Sequence, residues 1–249
     1  MKTRMLLVII FIILFGNAFA DPIHDYAKDG NVKEVKRLIK EGADVNAEDN
    51  YCTPLHYAAS RGHIKVVRTL ISNGADVDAI AIMDGSTPLH GAVSFNHKDV
   101  TELLISKGAN LNGADKNGYT PLHRAVERGY KDIAELLISK GAEVDSNSAS
   151  ADKWTPLNVA ALWGHRDVAE LLIQKGADIN YKDAHKWTSL NMAVLWGNIE
   201  VVELLISEGA DINVESEYSL HGGGTPLTIA IQRGHEDIAE LLRQHGGHE

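Results

Sequence analysis

Cysteine is almost missing from this chain: Cys52 stands alone among 249 residues, so no disulfide can form within it. Also missing are a His-Glu-x-x-His pair, a Gly-x-Ser-x-Gly elbow and a phosphate-binding glycine loop carrying a lysine. Gly222-Gly223-Gly224 precedes a helix start but has no such lysine, and reads as a flexible loop. Aromatic residues make up only 6%, and basic residues are outnumbered, 24 against 34 acidic, for a formal charge of −10. A chain of that sign repels phosphate backbones, which argues against nucleic acid as a partner. Nor is there an apolar run long enough to cross a bilayer. The longest, Met5 to Phe15, has 11 residues, against the roughly 20 that a spanning helix needs.

That run belongs to a segment unlike the rest. A short positive start (Met1 to Arg4), the apolar stretch and Ala18-Phe19-Ala20 have the layout of a secretory signal peptide. Residues 1–20 are therefore expected to be a signal peptide cleaved before Asp21, leaving 21–249 as the folded domain and no membrane span. An uncleaved anchor is the other reading. Export would be to a periplasm or to the outside, and the leader suits a bacterial envelope. In an oxidising compartment the lone Cys52 could cross-link to a partner, or simply be a small residue on a loop.

What the chain has in abundance is repetition. Thr53-Pro54-Leu55-His56 returns as Thr87-Pro88-Leu89-His90, Thr120-Pro121-Leu122-His123, Thr155-Pro156-Leu157-Asn158, Thr188-Ser189-Leu190-Asn191 and Thr225-Pro226-Leu227-Thr228. The spacings are 34, 33, 35, 33 and 37 residues. A second marker keeps step: Gly42-Ala43-Asp44, Gly74-Ala75-Asp76, Gly108-Ala109-Asn110, Gly141-Ala142-Glu143, Gly176-Ala177-Asp178 and Gly209-Ala210-Asp211. Thr before Pro starts a helix, because the hydroxyl accepts an orphan N–H and the ring holds the first helical φ. The later stretch, as in residues 131–141, places Ile133, Leu136 and Leu137 on one helical face. Gly141 then supplies a left-handed stop. No such unit can bury its apolar stripe alone, so the units must stack.

These markers resemble those of ankyrin-repeat proteins, and the resemblance covers the chain after residue 20. It implies an all-α repeat solenoid with short β-hairpin fingers between helix pairs. Counting back from Gly30, Asp21-Pro22-Ile23-His24 falls where Thr-Pro-Leu-His should, which makes about seven helix–turn–helix units. The resemblance further implies that partners bind at the finger ends and the last residues of each inner helix.

All four tryptophans fall on those two positions. Trp154 and Trp187 directly precede a helix-starting Thr; Trp163 and Trp196 close the inner helices of the fifth and sixth repeats, beside Leu162 and Leu195. Repeats are spaced by about the distance of packed helices, ~10 Å. The rings are thus expected to form two short ladders, extended toward the N-terminus by Tyr119 and Phe95, and these eight residues are the candidate partner-binding site. The competing reading is that the rings pack on their neighbours and touch no ligand. Extra residues around 146–152 and 214–224 bracket the tryptophan repeats, with one more near 79–85, and insertions in repeat proteins go to loops.

Twelve histidines invite a metal or catalytic reading. His24, His56, His90 and His123 share one motif position, and His63, His97, His165 and His235 follow the inter-helix turn, so the spacing is that of the repeat and not of a ligand set. His245 and His248 could at most hold a metal weakly. Acidic pairs such as Asp183 and Asp211 also recur with the repeat and are no acid/base dyad. The expectation is a non-catalytic scaffold with no cofactor and no metal, binding another protein, monomeric unless the aromatic patch pairs with itself. A glycan-binding module using the same rings is the alternative, and an enzyme with a loop-built site the third reading.

Overall fold

The structure, a computed structural model, describes residues 22–49, 51–148, 153–219 and 222–249. The expected leader and its cleavage site, Asp21 as a helix cap, and part of the 146–152 insertion lie outside the described residues. Among the described residues fourteen helices run as seven antiparallel pairs: α1 Pro22–Lys28 with α2 Val32–Lys40, α3 Pro54–Ser60 with α4 Ile64–Ser72, α5 Pro88–Ser94 with α6 Lys98–Ser106, and α7 Pro121–Glu127 with α8 Lys131–Ser139. They continue as α9 Pro156–Trp163 with α10 Arg166–Gln174, α11 Ser189–Leu195 with α12 Ile199–Ser207, and α13 Pro226–Arg233 with α14 Glu236–Gln244. The first helix of each pair stacks on the first of the next, and second helices stack likewise, so one continuous core runs along the solenoid. No helix among the described residues is long and apolar enough to cross a membrane.

Three sets of polar ties hold neighbours in register. At the helix starts, Thr53, Thr87 and Thr120 have extended backbones and cap α3, α5 and α7. The histidine three residues on accepts the Thr backbone N–H at Nδ1, at 3.3, 3.1 and 3.2 Å. Its Nε2 must then donate, and it does so to the carbonyl just before the next helix-starting Thr: His56 to Ser86 at 3.1 Å, His90 to Tyr119 at 3.0 Å and His123 to Trp154 at 3.0 Å. In the first repeat His24 reaches Ala47 O at 2.9 Å. The imidazoles of His56, His90 and His123 are therefore neutral, with the proton on Nε2.

The second set lies at the inter-helix turns. His63, His97 and His165 reach back to carbonyls of the preceding repeat at 2.9, 3.0 and 3.1 Å. The ring sits against a glycine in the left-handed region: at Gly30, φ +73°, a Cβ would lie 2.7 Å from His63 Nδ1. Where the turn residue has a side chain, Asn96 with φ 60°, the following repeat carries Tyr130 in place of the histidine. The third set follows the Gly-Ala-Asp markers. Asn46, Asp78, Asn112, Asp145, Asn180 and Asn213 each accept a backbone N–H from the next repeat, at 2.8 to 3.1 Å, without a break along the stack.

The expected fingers join the helix pairs, with little strand pairing. Most fingers are closed by one backbone bond, such as Asp115 N to Tyr119 O at 2.9 Å or Asp183 N to Trp187 O at 3.0 Å, too few to make a ladder. Only the longest, after the 37-residue spacing, pairs as strands among the described residues: β1 Ser216–Ser219 runs antiparallel to β2 Gly222–Gly224.

Candidate functional site

The two residue positions expected to form one aromatic surface separate by depth. At the inner-helix ends Trp163 and Trp196 are 55% and 56% exposed, and Phe95, one position of the same register in the third repeat, is 62% exposed. The chain turns away immediately after each, which leaves the ring no following turn to pack on. These three are the surface aromatics of the predicted set.

The finger positions are different. Trp187 is 3% exposed and part of the core, so its expected place on an open ladder is corrected. The cause is the longer finger that follows, which runs alongside it: Glu217 N bonds His185 O at 2.9 Å, and Lys186 Nζ pairs with Glu217 at 2.9 Å. Trp154 is half-buried against the core and donates its indole N–H to Asp183 Oδ2 at 3.2 Å. Tyr119 stacks on His123 at 5.2 Å with Arg124 over its ring, and is likewise part of the packing. Leu195 is also buried, against the expectation of an exposed flank, whereas Leu162 remains partly open.

Asp183 shows what Trp154 does. Its Oδ1 accepts the backbone N–H groups of His185 and Trp187, both at 2.8 Å, and the Trp154 indole takes Oδ2. Burial raises the carboxyl above its ordinary range, against the pull of those donors. The corresponding carboxylates elsewhere are held by Tyr57, whose hydroxyl donates to Asp49 at 2.8 Å, and by Arg124, which pairs with Asp115. Trp154 is thus the third solution to one task, the fastening of a finger carboxylate.

A second apolar surface had only a weak sequence signal, the one-residue lengthening near 79–85. Tyr51, Ile80, Ile82 and Met83 are 53, 66, 49 and 66% exposed on adjoining fingers, joined by Ile82 N to Tyr51 O at 2.9 Å. Ile231, 39% exposed, occupies the register at which Ala161 and Val194 are buried. Among the described residues no group of three or more His, Cys, Asp or Glu could hold a metal ion. Cys52 is half-buried, and burial pushes its thiol up to about 11, away from reactivity.

The sequence model of the family described as ankyrin repeats (3 copies) matches residues 9–81, 79–148, 145–216 and 185–249. Among solved structures, the ankyrin repeat domain of human ASB11 is similar at 26% sequence identity with a TM-score of 0.78, over 92% of this chain and 100% of that one. No curated protein matches the chain by sequence.

Proposed function

Since the chain belongs to the ankyrin-repeat family, a general protein-interaction scaffold, we propose that it is a non-catalytic, exported scaffold that binds another protein through the face carried by its fifth and sixth repeats. One observation supports this above others: Trp163 and Trp196 stand one repeat apart at the same position, each more than half exposed, with Leu162 partly open beside them. Large exposed rings in register are what interface hot spots are made of, and a rigid stack holds them in place before the partner arrives. Phe95 extends the surface toward the N-terminus. Trp187 and Leu195 are buried and Trp154 and Tyr119 pack partly against the core, so the exposed rings carry the contact.

The test is capture of a partner by the wild type and by Trp163→Ala/Trp196→Ala, with a thermal melt of each. Loss of one specific partner at an unchanged melting temperature supports the reading; capture of the same partners by both proteins sinks it. The glycan reading shares these rings. It gains if an oligosaccharide alone quenches the tryptophan fluorescence of the wild type and not of the double variant. Export rests on the leader, and the mature protein is expected to begin at Asp21 by N-terminal sequencing. It is expected to sediment as a monomer.

A further inference from the structure

The outer helices carry a reversal of charge that neither the fold nor the aromatic face uses. Their second position reads Lys33, Lys65, Asp99, Asp132, Asp167, Glu200 and Asp237 along the stack; their fifth reads Lys36, Arg68, Glu102, Glu135, Glu170, Glu203 and Glu240. Both positions lie on the exposed side of the helix, three residues apart and hence on one face. The scaffold places these side chains equivalently in every repeat, so nothing in the fold asks for a cation in the first two and an anion in the other five.

At the basic end the two helices α2 and α4 enclose an open groove of about 470 Å³, lined by Lys36, Lys40, Arg68, Thr69, Ser72 and Asn73 among others. The nearby carboxylates are already engaged. Arg37 takes Glu34 at 2.7 Å and Glu41 at 2.6 Å. Lys36, Lys40 and Arg68 have no ion-pair partner among the described residues. Thr69 and Asn73 direct a donor each to helix carbonyls, at 2.9 and 2.7 Å, so recognition falls to the three cations. Three unpaired cations lining one concavity, in a chain of net charge −10, mark a place where an anion is accepted while the remaining surface repels it.

We propose that the groove between α2 and α4 is a binding site for a ligand bearing clustered phosphate groups, held by Lys36, Lys40 and Arg68. The groove is a compact recess and not an extended channel, which fits a polyphosphorylated headgroup or small molecule better than a strand of nucleic acid. Arg68 supplies a planar fork for two phosphate oxygens, and the two lysines supply mobile point charges.

The full chain is titrated with inorganic triphosphate in solution and, separately, with phosphatidylcholine vesicles with and without a phosphoinositide. Saturable binding is expected in at least one arm, and which arm responds tells a soluble ligand from a lipid headgroup. Lys36→Glu/Arg68→Glu is expected to weaken it by more than about thirtyfold, at roughly fivefold per cation lost near a phosphate surface and with two anions added. Lys36→Gln/Arg68→Gln gives the same direction with less risk to folding, which a thermal melt monitors. Lys98→Glu/Lys131→Glu changes the net charge equally, but on the acidic repeats, and is expected to bind as the wild type does. The proposal is overturned by no saturable binding in either arm, by equal loss in the Lys98/Lys131 variant, or by polyglutamate binding as tightly as triphosphate. It is equally overturned if the wild type self-associates through these cations onto the acidic ridge of a second copy and binds no phosphate.

Discussion

In repeats one to four the residue after the helix-starting trio is histidine, and in repeats two to four its ring spans from one helix start to the carbonyl of the next finger. In repeats five and six it is asparagine. Both side chains still cap their own helix: Asn158 and Asn191 each accept the Thr backbone N–H through Oδ1 at 3.0 Å. But the amide is shorter than the imidazole and does not reach the next finger. Asn158 instead donates to Ser189 Oγ at 3.1 Å, and Ser189 stands where the other described repeats have proline. Asn191 meets Pro226 one repeat later, which has no hydroxyl, and its Nδ2 is the one buried side-chain polar atom without a partner among the described residues. The fingers there are fastened by tryptophan: Trp187 by burial and Trp154 by its bond to Asp183. One template thus accepts two fastening systems, and a substitution at one position makes sense only beside its counterpart a repeat away.

The strongest test of that contrast sets one tryptophan against its neighbour. Trp187→Ala is expected to destabilise by ~3–5 kcal/mol in urea unfolding, the usual cost of emptying a buried aromatic site. Trp196→Ala, at an exposed ring, should stay within ~0.5 kcal/mol. Equal losses would erase the distinction between supporting and contacting rings.

Acid comes next in size. Burial holds His56, His90 and His123 below the ordinary imidazole range, His123 down to about 4. The unfolded chain takes up those protons near pH 6.5, before the folded one does, so stability is complete above that pH and falls as pH drops toward 4. His123 alone accounts for ~3 kcal/mol over that window. Protonation places a second hydrogen on Nδ1, which must accept from the Thr N–H, so the tie opens from its own side. Amide exchange at pH 5 should rise first at the starts of α3, α5 and α7, and little at α9 and α11; a uniform rise would refute the contrast.

Two smaller substitutions exchange the fastenings. Ser189→Pro leaves Asn158 Nδ2 without its acceptor and should cost ~1–3 kcal/mol, the penalty of an orphaned buried donor. Pro226→Ser offers Asn191 the hydroxyl that Asn158 already has, with an expected gain of ~1 kcal/mol. Opposite signs from the two variants, read as shifts in urea midpoint, are the outcome this pairing requires.

Much of this architecture was legible in the letters. Thr-Pro and the glycine after each outer helix fixed the helix starts and stops, because capping is local and depends on few residues. The aromatic positions were legible as positions but not as depths. Trp187 and Trp196 both fall outside the recurring core pattern, and which one is covered depends on a finger some thirty residues away, lengthened by the insertion at 214–224. Leu195 was misread for a related reason, since burial at that register varies from repeat to repeat. The exposed cluster at Tyr51, Ile80, Ile82 and Met83 escaped notice because an apolar run in a finger looks like an apolar run in a core. Ser189 escaped because its purpose appears only against Asn158, a repeat earlier.

The Asx ladder at the base of the fingers has one more consequence. It runs unbroken while the row of helix-start imidazole ties ends at the fourth repeat, so the stack is like a strip with one seam sewn along its whole length and another sewn only part way. Under tension such a strip yields first where the second seam is missing. Compliance should therefore concentrate at the joint between the sixth and seventh repeats, where Asn191 has no partner, and the last unit would be the first to peel from the rest when the ends are pulled apart.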